Sequence, residues 1–245
     1  MELAMTSHDR RLSLEGAYNT RDIGGYQTIA GGVVQRGRFL RADGLHRLTA
    51  QDQDKITAYG IDTIIDLRHD QELAAKRNVF AGSERIAYYN LSLINPAHAS
   101  LYEIRTLGDM YVHILDDCGA VLREVFARLA EARGGALFHC AAGKDRTGVV
   151  AALLLALAGV EPAQIVGDYA ETERNLAPIM AELRADRPSV IPEEAYEQYL
   201  GSAPIHMEQM LAHLAQRYRD AQAYLYAIGL TMPQLETLQR KLLDA

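Results

Sequence analysis

The feature that most constrains the fold is a ten-residue segment, 139–148, which joins a short apolar strand to a strongly apolar helix. Its sequence is His-Cys-Ala-Ala-Gly-Lys-Asp-Arg-Thr-Gly, between a predicted strand at 136–139 and a predicted helix at 147–158. A glycine-containing loop between a buried strand and a buried helix is typical of α/β proteins. The segment therefore predicts a parallel sheet whose loop edge carries reactive side chains.

The same order of strand, loop and helix recurs before the chain becomes mostly helical. Further strands are predicted at 39–42, 61–67 and 86–91, and helices at 50–59 and 108–132. Beyond residue 160, helices are predicted at 162–174, 177–187, 192–200, 204–227 and 233–243. The expected α/β fold is a central, mainly parallel sheet flanked by helices, with a helical C-terminal part, in a single domain over residues 1–245.

Charge and hydropathy exclude several classes of protein. A net charge of −7 and a pI near 5.6 argue against a general nucleic-acid binder, which normally presents a basic face. The longest apolar run, 149–160, is too short to cross a bilayer, and residues 1–14 lack the apolar core of a secretory signal. We therefore expect no transmembrane segment, no nucleic-acid partner and a cytoplasmic location, with non-classical export left open.

The chain has two cysteines, Cys118 and Cys140, which provide neither a disulfide framework nor zinc ligands at close spacing. No metal or other cofactor is predicted. Acidic neighbours disfavour a thiolate at Cys118, which we interpret as structural. Cys140 instead follows a strand and faces a helix N-terminus, whose partial positive charge lowers a thiol pKa. Cys140 is the predicted nucleophile.

The loop that follows Cys140 has the length needed to surround one phosphate group. Five residues separate Cys140 from Arg146, so successive backbone N–H groups can point at the phosphate oxygens. The guanidinium of Arg146 can bond two of those oxygens. The predicted phosphate-binding residues are Ala141, Ala142, Gly143, Lys144, Asp145 and Arg146.

Two residues that flank this loop have predicted supporting roles. The hydroxyl of Thr147 could donate a hydrogen bond to the Cys140 sulfur and stabilise the thiolate, which makes it a candidate catalytic residue. His139 could hold the loop by bonding a backbone carbonyl, or it could be a buried histidine with no effect on the thiol.

Cleavage of a phosphate ester also needs an acid for the leaving oxygen. The chain has no tryptophan, so a Trp-Pro-Asp loop cannot supply that acid. Asp145 is the first candidate, and a carboxylate that pairs with Lys144 or Arg146 is the alternative interpretation. Asp66, beside Arg68 at a strand end, is the second candidate, with a structural bond to Arg68 as its alternative.

The pattern Cys-x-x-Gly-x-x-Arg-Thr-Gly after His139 resembles the signature of the cysteine-dependent protein tyrosine phosphatase superfamily. The Ala-Gly-Lys-Asp-Arg-Thr-Gly form is similar to that of atypical bacterial tyrosine phosphatases, as are segments 19–25, 38–42 and 66–68 with Glu72. The resemblance implies hydrolysis of phosphate monoesters through a cysteinyl-phosphate. It implies phosphotyrosine in a protein or peptide as first substrate, with dual specificity and phosphoinositides open.

The resemblance also implies that helices at about 162–200 form a lid, with 188–192 as a hinge, and core helices are the alternative. Lys144 could receive a second phosphate of a phosphoinositide, although Ala141 stands where the best-known lipid phosphatases have another lysine. Two other classes of function remain open. One is sulfur transfer by a rhodanese-like enzyme, and the other is a catalytically silent phosphate-binding module.

Overall fold

The computed structural model describes residues 10–93, 105–187 and 192–243. Within these ranges one five-stranded sheet has the order β1-β2-β5-β3-β4, in which β1 is antiparallel to β2 and the other neighbours are parallel. The strands are β1 (Arg21–Asp22), β2 (Phe39–Ala42), β3 (Ile61–Asp66), β4 (Ala87–Asn90) and β5 (Gly135–His139). The predicted mainly parallel sheet is confirmed, whereas the single domain over 1–245 stays a prediction.

Eleven α-helices surround the sheet in the described ranges. They are α1 (Ala50–Ala58), α2 (Asp70–Ala75), α3 (Leu107–Asp117), α4 (Gly119–Glu131), α5 (Asp145–Leu157), α6 (Pro162–Leu176), α7 (Met180–Ala185), α8 (Glu193–Leu200), α9 (Pro204–Tyr218), α10 (Ala221–Ala227) and α11 (Met232–Leu243). None of them is long and apolar enough to cross a membrane.

The central strand β5 brings the ends of three parallel strands to one edge of the sheet. His139, its last residue, pairs with Ala42 of β2 on one side and with Asp66 of β3 on the other. Every residue of β5 is buried, as expected for a strand covered on both faces. The next helix, α5, is apolar on nearly all sides because it packs between β2, β5, α3, α6 and α10. The loop between β5 and α5 is therefore held by two buried elements.

Two long predicted helices are each broken in the structure. The helix predicted at 108–132 is two helices, α3 and α4, because Cys118 leaves helical geometry (ψ 20°) before Gly119. The helix predicted at 204–227 is likewise α9 and α10, because Arg219 adopts a φ of 78° and the Asp220 side chain caps α10. Apolar spacing continued through both breaks, so periodicity alone missed them.

Other boundaries agree with the sequence or shift by a few residues. The helix predicted at 50–59 is α1, and Thr49 caps it through a reciprocal capping box. The helix predicted at 177–187 is a short 3-10 turn followed by α7. Most of the predicted hinge at 188–192, and residues 1–9 of the N-terminal segment, lie outside the described residues.

Candidate active site

Cys140 and Arg146 stand at the two ends of the loop that follows β5. Cys140 is buried directly after the strand, and Arg146 lies in the first turn of α5. Burial lowers the pKa of Arg146, but interactions with Glu72, Cys140 and Asp145 outweigh burial and raise it overall. The sulfur and the guanidinium are thus near enough to interact electrostatically.

The carbonyl groups of this loop are held on its outer side. Three successive carbonyl oxygens accept hydrogen bonds from other parts of the chain. The donors are Gly44 N to Ala141 O (2.9 Å), Asn19 Nδ2 to Ala142 O and Gly143 O (3.1 Å each), and Arg41 Nη2 to Gly143 O (2.8 Å). In a trans peptide the next N–H points away from the carbonyl. The N–H groups of 142–144 therefore point to the opposite side, and no described residue accepts a hydrogen bond from them.

Gly143 is required by the path of the loop. Its φ is 64°, a left-handed conformation that side chains rarely adopt, and a Cβ there would lie 2.3 Å from the backbone oxygen of Ala42. The loop consequently packs directly against the end of β2. A glycine at this position allows the close approach that the curl of the loop requires.

Glu72 of α2 holds the guanidinium of Arg146. Its two carboxylate oxygens accept bonds of 2.6 Å from Nη1 and 2.8 Å from Nη2. Burial raises the pKa of Glu72, but Arg146 lowers it by more, so the carboxylate stays ionised. Sequence reasoning noticed Glu72 as a landmark without assigning it this partner, because the two residues lie far apart in the chain.

Asp66 lies at the end of β3 in a closed polar network. Its carboxylate accepts bonds from Arg68 Nε (2.9 Å), Arg68 Nη2 (2.7 Å) and Tyr88 Oη (3.0 Å). Burial raises the pKa of Asp66, but His139 and Arg68 outweigh burial and hold it well below its usual range. Asp66 and His139 are both fully buried and lie side by side at the end of the sheet.

His139 connects this network to the loop. Its Nδ1 lies 3.0 Å from the carbonyl oxygen of Cys140, and its Nε2 lies 2.8 Å from Asn78 Nδ2. Nε2 also lies 3.2 Å from Asp66 Oδ2, so the imidazole ring contacts the Asp66 carboxylate directly. His139 Nδ1 carries a hydrogen and donates it to the Cys140 carbonyl, because a carbonyl oxygen can only accept. This is the backbone bond anticipated from the sequence.

Asp145 and Lys144 occupy different positions in the loop. Asp145 has a side chain that is 25% exposed and lines the cavity above the loop, and its Oδ1 accepts a 2.6 Å bond from Tyr111 Oη. Lys144 is buried, with Nζ 3.4 Å from Asp145 Oδ1. That ammonium donates to the carbonyl oxygens of Tyr199 and, at 2.8 Å, Gly201 at the end of α8. The ammonium of Lys144 therefore bonds α8 as well as Asp145.

One predicted bond is absent. Thr147 is buried in α5, but its hydroxyl has no hydrogen-bond partner among the described residues. The expected bond to the Cys140 sulfur is not formed in this structure. The catalytic role of Thr147 stays a prediction without that bond.

A cavity of about 640 Å³ opens above the loop. Loop residues 141, 142 and 144–146 line one side, and the helical region from the end of α6 to α8 lines the other with apolar side chains. These include Leu176, Ile179, Leu183, Tyr196 and Tyr199. The carboxylates of Glu182 on α7 and of Asp186 just after α7 pair with Arg47 (2.5 Å) and Lys76 (2.6 Å) at the rim. The lid at 162–200 stays a prediction: α7 and α8 lie at the cavity, whereas α6 reaches it only at its end and packs against α5 and α9.

A buried cluster of charges supports the loop from behind, and sequence reasoning missed it. Asp168 of α6 is fully buried and pairs with Arg41, Arg21 (3.1 Å) and Arg10 (2.9 Å). Burial raises the pKa of Asp168, but the arginines outweigh burial and lower it overall. Arg41 also holds the Gly143 carbonyl, so the cluster connects α6 to the loop. An acidic residue on the apolar face of a predicted helix was the available signal.

Comparison with known proteins agrees with this geometry. A profile described as tyrosine phosphatase family matches residues 12–244. The chain is 35% identical over 222 residues to a tyrosine-protein phosphatase of Nostoc commune, covering 86% of this chain and 76% of the relative. It is 27% identical over 204 residues to the triple specificity protein phosphatase PtpB of Mycobacterium tuberculosis, covering 69% of this chain and 72% of that relative.

Among solved structures, a cysteine-to-serine variant of P. aeruginosa TpbA in complex with phosphotyrosine matches 81% of this chain and 91% of its own, at 15% identity and a TM-score of 0.41. The profile spans nearly the whole chain, and the Nostoc relative covers most of it. The chain belongs to the tyrosine phosphatase family.

Proposed function

We propose that this tyrosine phosphatase hydrolyses phosphotyrosine in proteins or peptides through a cysteinyl-phosphate on Cys140. The observation that carries the proposal is the loop with its carbonyls bonded outward, its N–H groups on the other side, and Cys140 and Arg146 at its two ends. Such an arrangement binds a tetrahedral dianion and stabilises the charge on its oxygens during transfer.

The reaction proceeds in two displacements at phosphorus. The Cys140 thiolate attacks, the bond to the ester oxygen breaks, and that oxygen takes a proton from Asp145 as it leaves. Water then attacks the phosphocysteine and gives a proton to the Asp145 carboxylate, so that inorganic phosphate and the thiolate are released. Arg146 and the N–H groups of the loop hold the three non-bridging oxygens in both steps.

Asp145 suits the acid role better than Asp66. Its carboxyl group reaches the cavity, whereas that of Asp66 is fully buried and bonded to Arg68 and Tyr88. A low pKa also leaves Asp66 without a proton to donate near neutral pH. We assign Asp66, Arg68 and His139 to the support of the loop.

The shape of the cavity favours an aryl ester over an alkyl ester. Its outer wall is apolar and includes Met110, Ile179 and Tyr196, which can pack against a phenol ring. Lys144 does not favour a phosphoinositide, because its ammonium already bonds the carbonyls at the end of α8. The mycobacterial relative is called a triple specificity phosphatase, so a substrate range broader than phosphotyrosine stays open for this chain.

We expect the chain, assayed in EDTA, to release phosphate from a phosphotyrosine peptide at least about tenfold faster than from the matched phosphoserine peptide. The reason is that only the aryl ester has a ring that packs against the apolar wall of the cavity. Vanadate should inhibit the reaction. Equal rates on the two peptides would instead indicate dual specificity. Transfer of sulfur from thiosulfate without phosphate release would indicate a rhodanese-like enzyme, and neither activity would indicate a silent phosphate-binding module.

Replacement of Asp145 by asparagine should lower kcat on phenyl phosphate, a poor leaving group, by about 10²-fold or more, because that oxygen needs a proton as it departs. The loss on 4-nitrophenyl phosphate, whose leaving group is stable as an anion, should be about tenfold or less. Steady-state rates on the two esters measure the difference. Equal losses on both esters would remove Asp145 from the acid role.

A further inference from the structure

Two buried tyrosines form a hydrogen-bonded chain that ends on Asp145. Tyr111 of α3 places its hydroxyl 2.6 Å from Asp145 Oδ1, and the hydroxyl of Tyr169 on α6 lies 2.8 Å from that of Tyr111. Neither side chain is exposed by more than 1%. The loop residue is thereby tied to two helices outside the loop.

The donor and acceptor of each of these two hydrogen bonds follow from the number of hydrogens on the hydroxyl groups. Each tyrosine hydroxyl has one hydrogen to donate, and a carboxylate oxygen can only accept. Tyr111 donates its hydrogen to Asp145, so Tyr169 must donate to Tyr111. Burial, followed by the charge of Asp145, raises the pKa of both tyrosines, so both hydroxyls keep their protons.

The two oxygens of Asp145 are treated differently by the surrounding residues. Oδ1 accepts from Tyr111 and lies 3.4 Å from Lys144 Nζ. No described residue donates to Oδ2. The catalytic proton of a carboxylic acid resides on one oxygen, and the oxygen that already accepts a hydrogen bond and lies beside an ammonium group is the less suitable carrier. Oδ2 is then the oxygen that exchanges a proton with the substrate.

We propose that Tyr111, held in place by Tyr169, is a positioning residue that orients Asp145 so that Oδ2 delivers the proton to the leaving oxygen. This inference rests on the proposed acid role of Asp145. Tyr111 does not touch the phosphate ester in this assignment, and it acts only through the carboxyl group. Its function in catalysis is therefore distinct from its packing in the core.

Packing is the competing explanation for the same two residues. The rings meet edge to face, with centroids 5.8 Å apart, and both belong to the main hydrophobic core. Replacing Tyr111 by phenylalanine keeps that ring contact and removes the bond to Asp145. Tyr224 offers a matched control, because it is equally buried and its hydroxyl donates 2.8 Å to the Leu115 carbonyl.

The test compares Tyr111→Phe, Tyr169→Phe and Tyr224→Phe on phenyl phosphate and 4-nitrophenyl phosphate. Loss of a hydrogen bond to a charged group should lower kcat of Tyr111→Phe by about tenfold on phenyl phosphate and about twofold on the nitrophenyl ester. Tyr169→Phe should show a smaller loss with the same selectivity. Tyr224→Phe should change both rates equally and little.

A double variant then separates positioning from packing. If Tyr111 acts through Asp145, Tyr111→Phe should cost no more than about twofold on phenyl phosphate in the Asp145→Asn background. The positioning role alone would be overturned if Asp145→Asn lost more activity on phenyl phosphate than on the nitrophenyl ester while Tyr111→Phe lost the same on both. A full tenfold further loss in the double variant would also overturn that role alone. Equal losses of Asp145→Asn on the two esters would overturn the acid assignment and the positioning role together, and would leave the proposed role of Cys140 unaffected.

Discussion

Replacing Cys140 with serine should reduce kcat on 4-nitrophenyl phosphate by on the order of 10³-fold or more, since loss of a nucleophile removes the whole covalent route. A serine hydroxyl is not ionised near neutral pH, and Asp145 acts as the acid in the first step, so it cannot also remove the proton of the hydroxyl. The oxyanion site remains intact, because its N–H groups and Arg146 belong to the backbone and to α5. The variant should consequently still bind vanadate or phosphate while it fails to turn over.

The other cysteine provides a matched control for this substitution. Cys118 lies between α3 and α4 and is only partly buried, so Cys118→Ser should retain nearly full activity. Steady-state assays in EDTA, with phosphate binding measured by calorimetry, test both variants. Activity of Cys140→Ser within tenfold of the native chain would contradict a thiolate nucleophile.

Replacement of Asp168 by asparagine should lower the free energy of unfolding by about 3–5 kcal/mol, which is typical for removing one partner from a buried charge cluster. Arg21 and Arg41 are fully buried and rely on this carboxylate for neutralisation. An amide cannot balance their charge. Because Arg41 also holds the Gly143 carbonyl, the variant that remains folded should bind phosphate more weakly.

Urea unfolding measured by circular dichroism gives the size of this effect. Glu182→Gln is a suitable control, because it removes an exposed ion pair with Arg47 and should cost less than about 1 kcal/mol. A loss in Asp168→Asn no larger than that of the control would mean that the buried arginines find other partners. The cluster would then not be what holds the loop.

The parts of the site predicted from the sequence are those in which neighbouring residues act together. The 140–146 loop, the strand before it and the helix after it form one continuous segment, so their types and spacing indicated the fold and the proposed anion site directly. His139 was also placed correctly against a backbone carbonyl, because its partner is the next residue. Local sequence carries this information because the interactions themselves are local.

The remaining parts depend on contacts between residues distant in the chain. Tyr111 lies in the helix predicted at 108–132, but helical periodicity does not reveal the partner of its hydroxyl. Glu72 and Asp168 pair with arginines that lie 74 to 158 residues away. Such pairings require the arrangement of the sheet and helices, which no single segment specifies.

In the proposed mechanism Cys140 carries the phosphoryl group during turnover. Mixing 4-nitrophenyl phosphate with Asp145→Asn, which should slow hydrolysis of the intermediate, followed by rapid quenching and peptide mass spectrometry, detects this group. We expect one phosphoryl group on the peptide that contains Cys140, and none when Cys140→Ser is added to the same variant. Release of nitrophenol with the phosphoryl group on another residue, or on none, would contradict it.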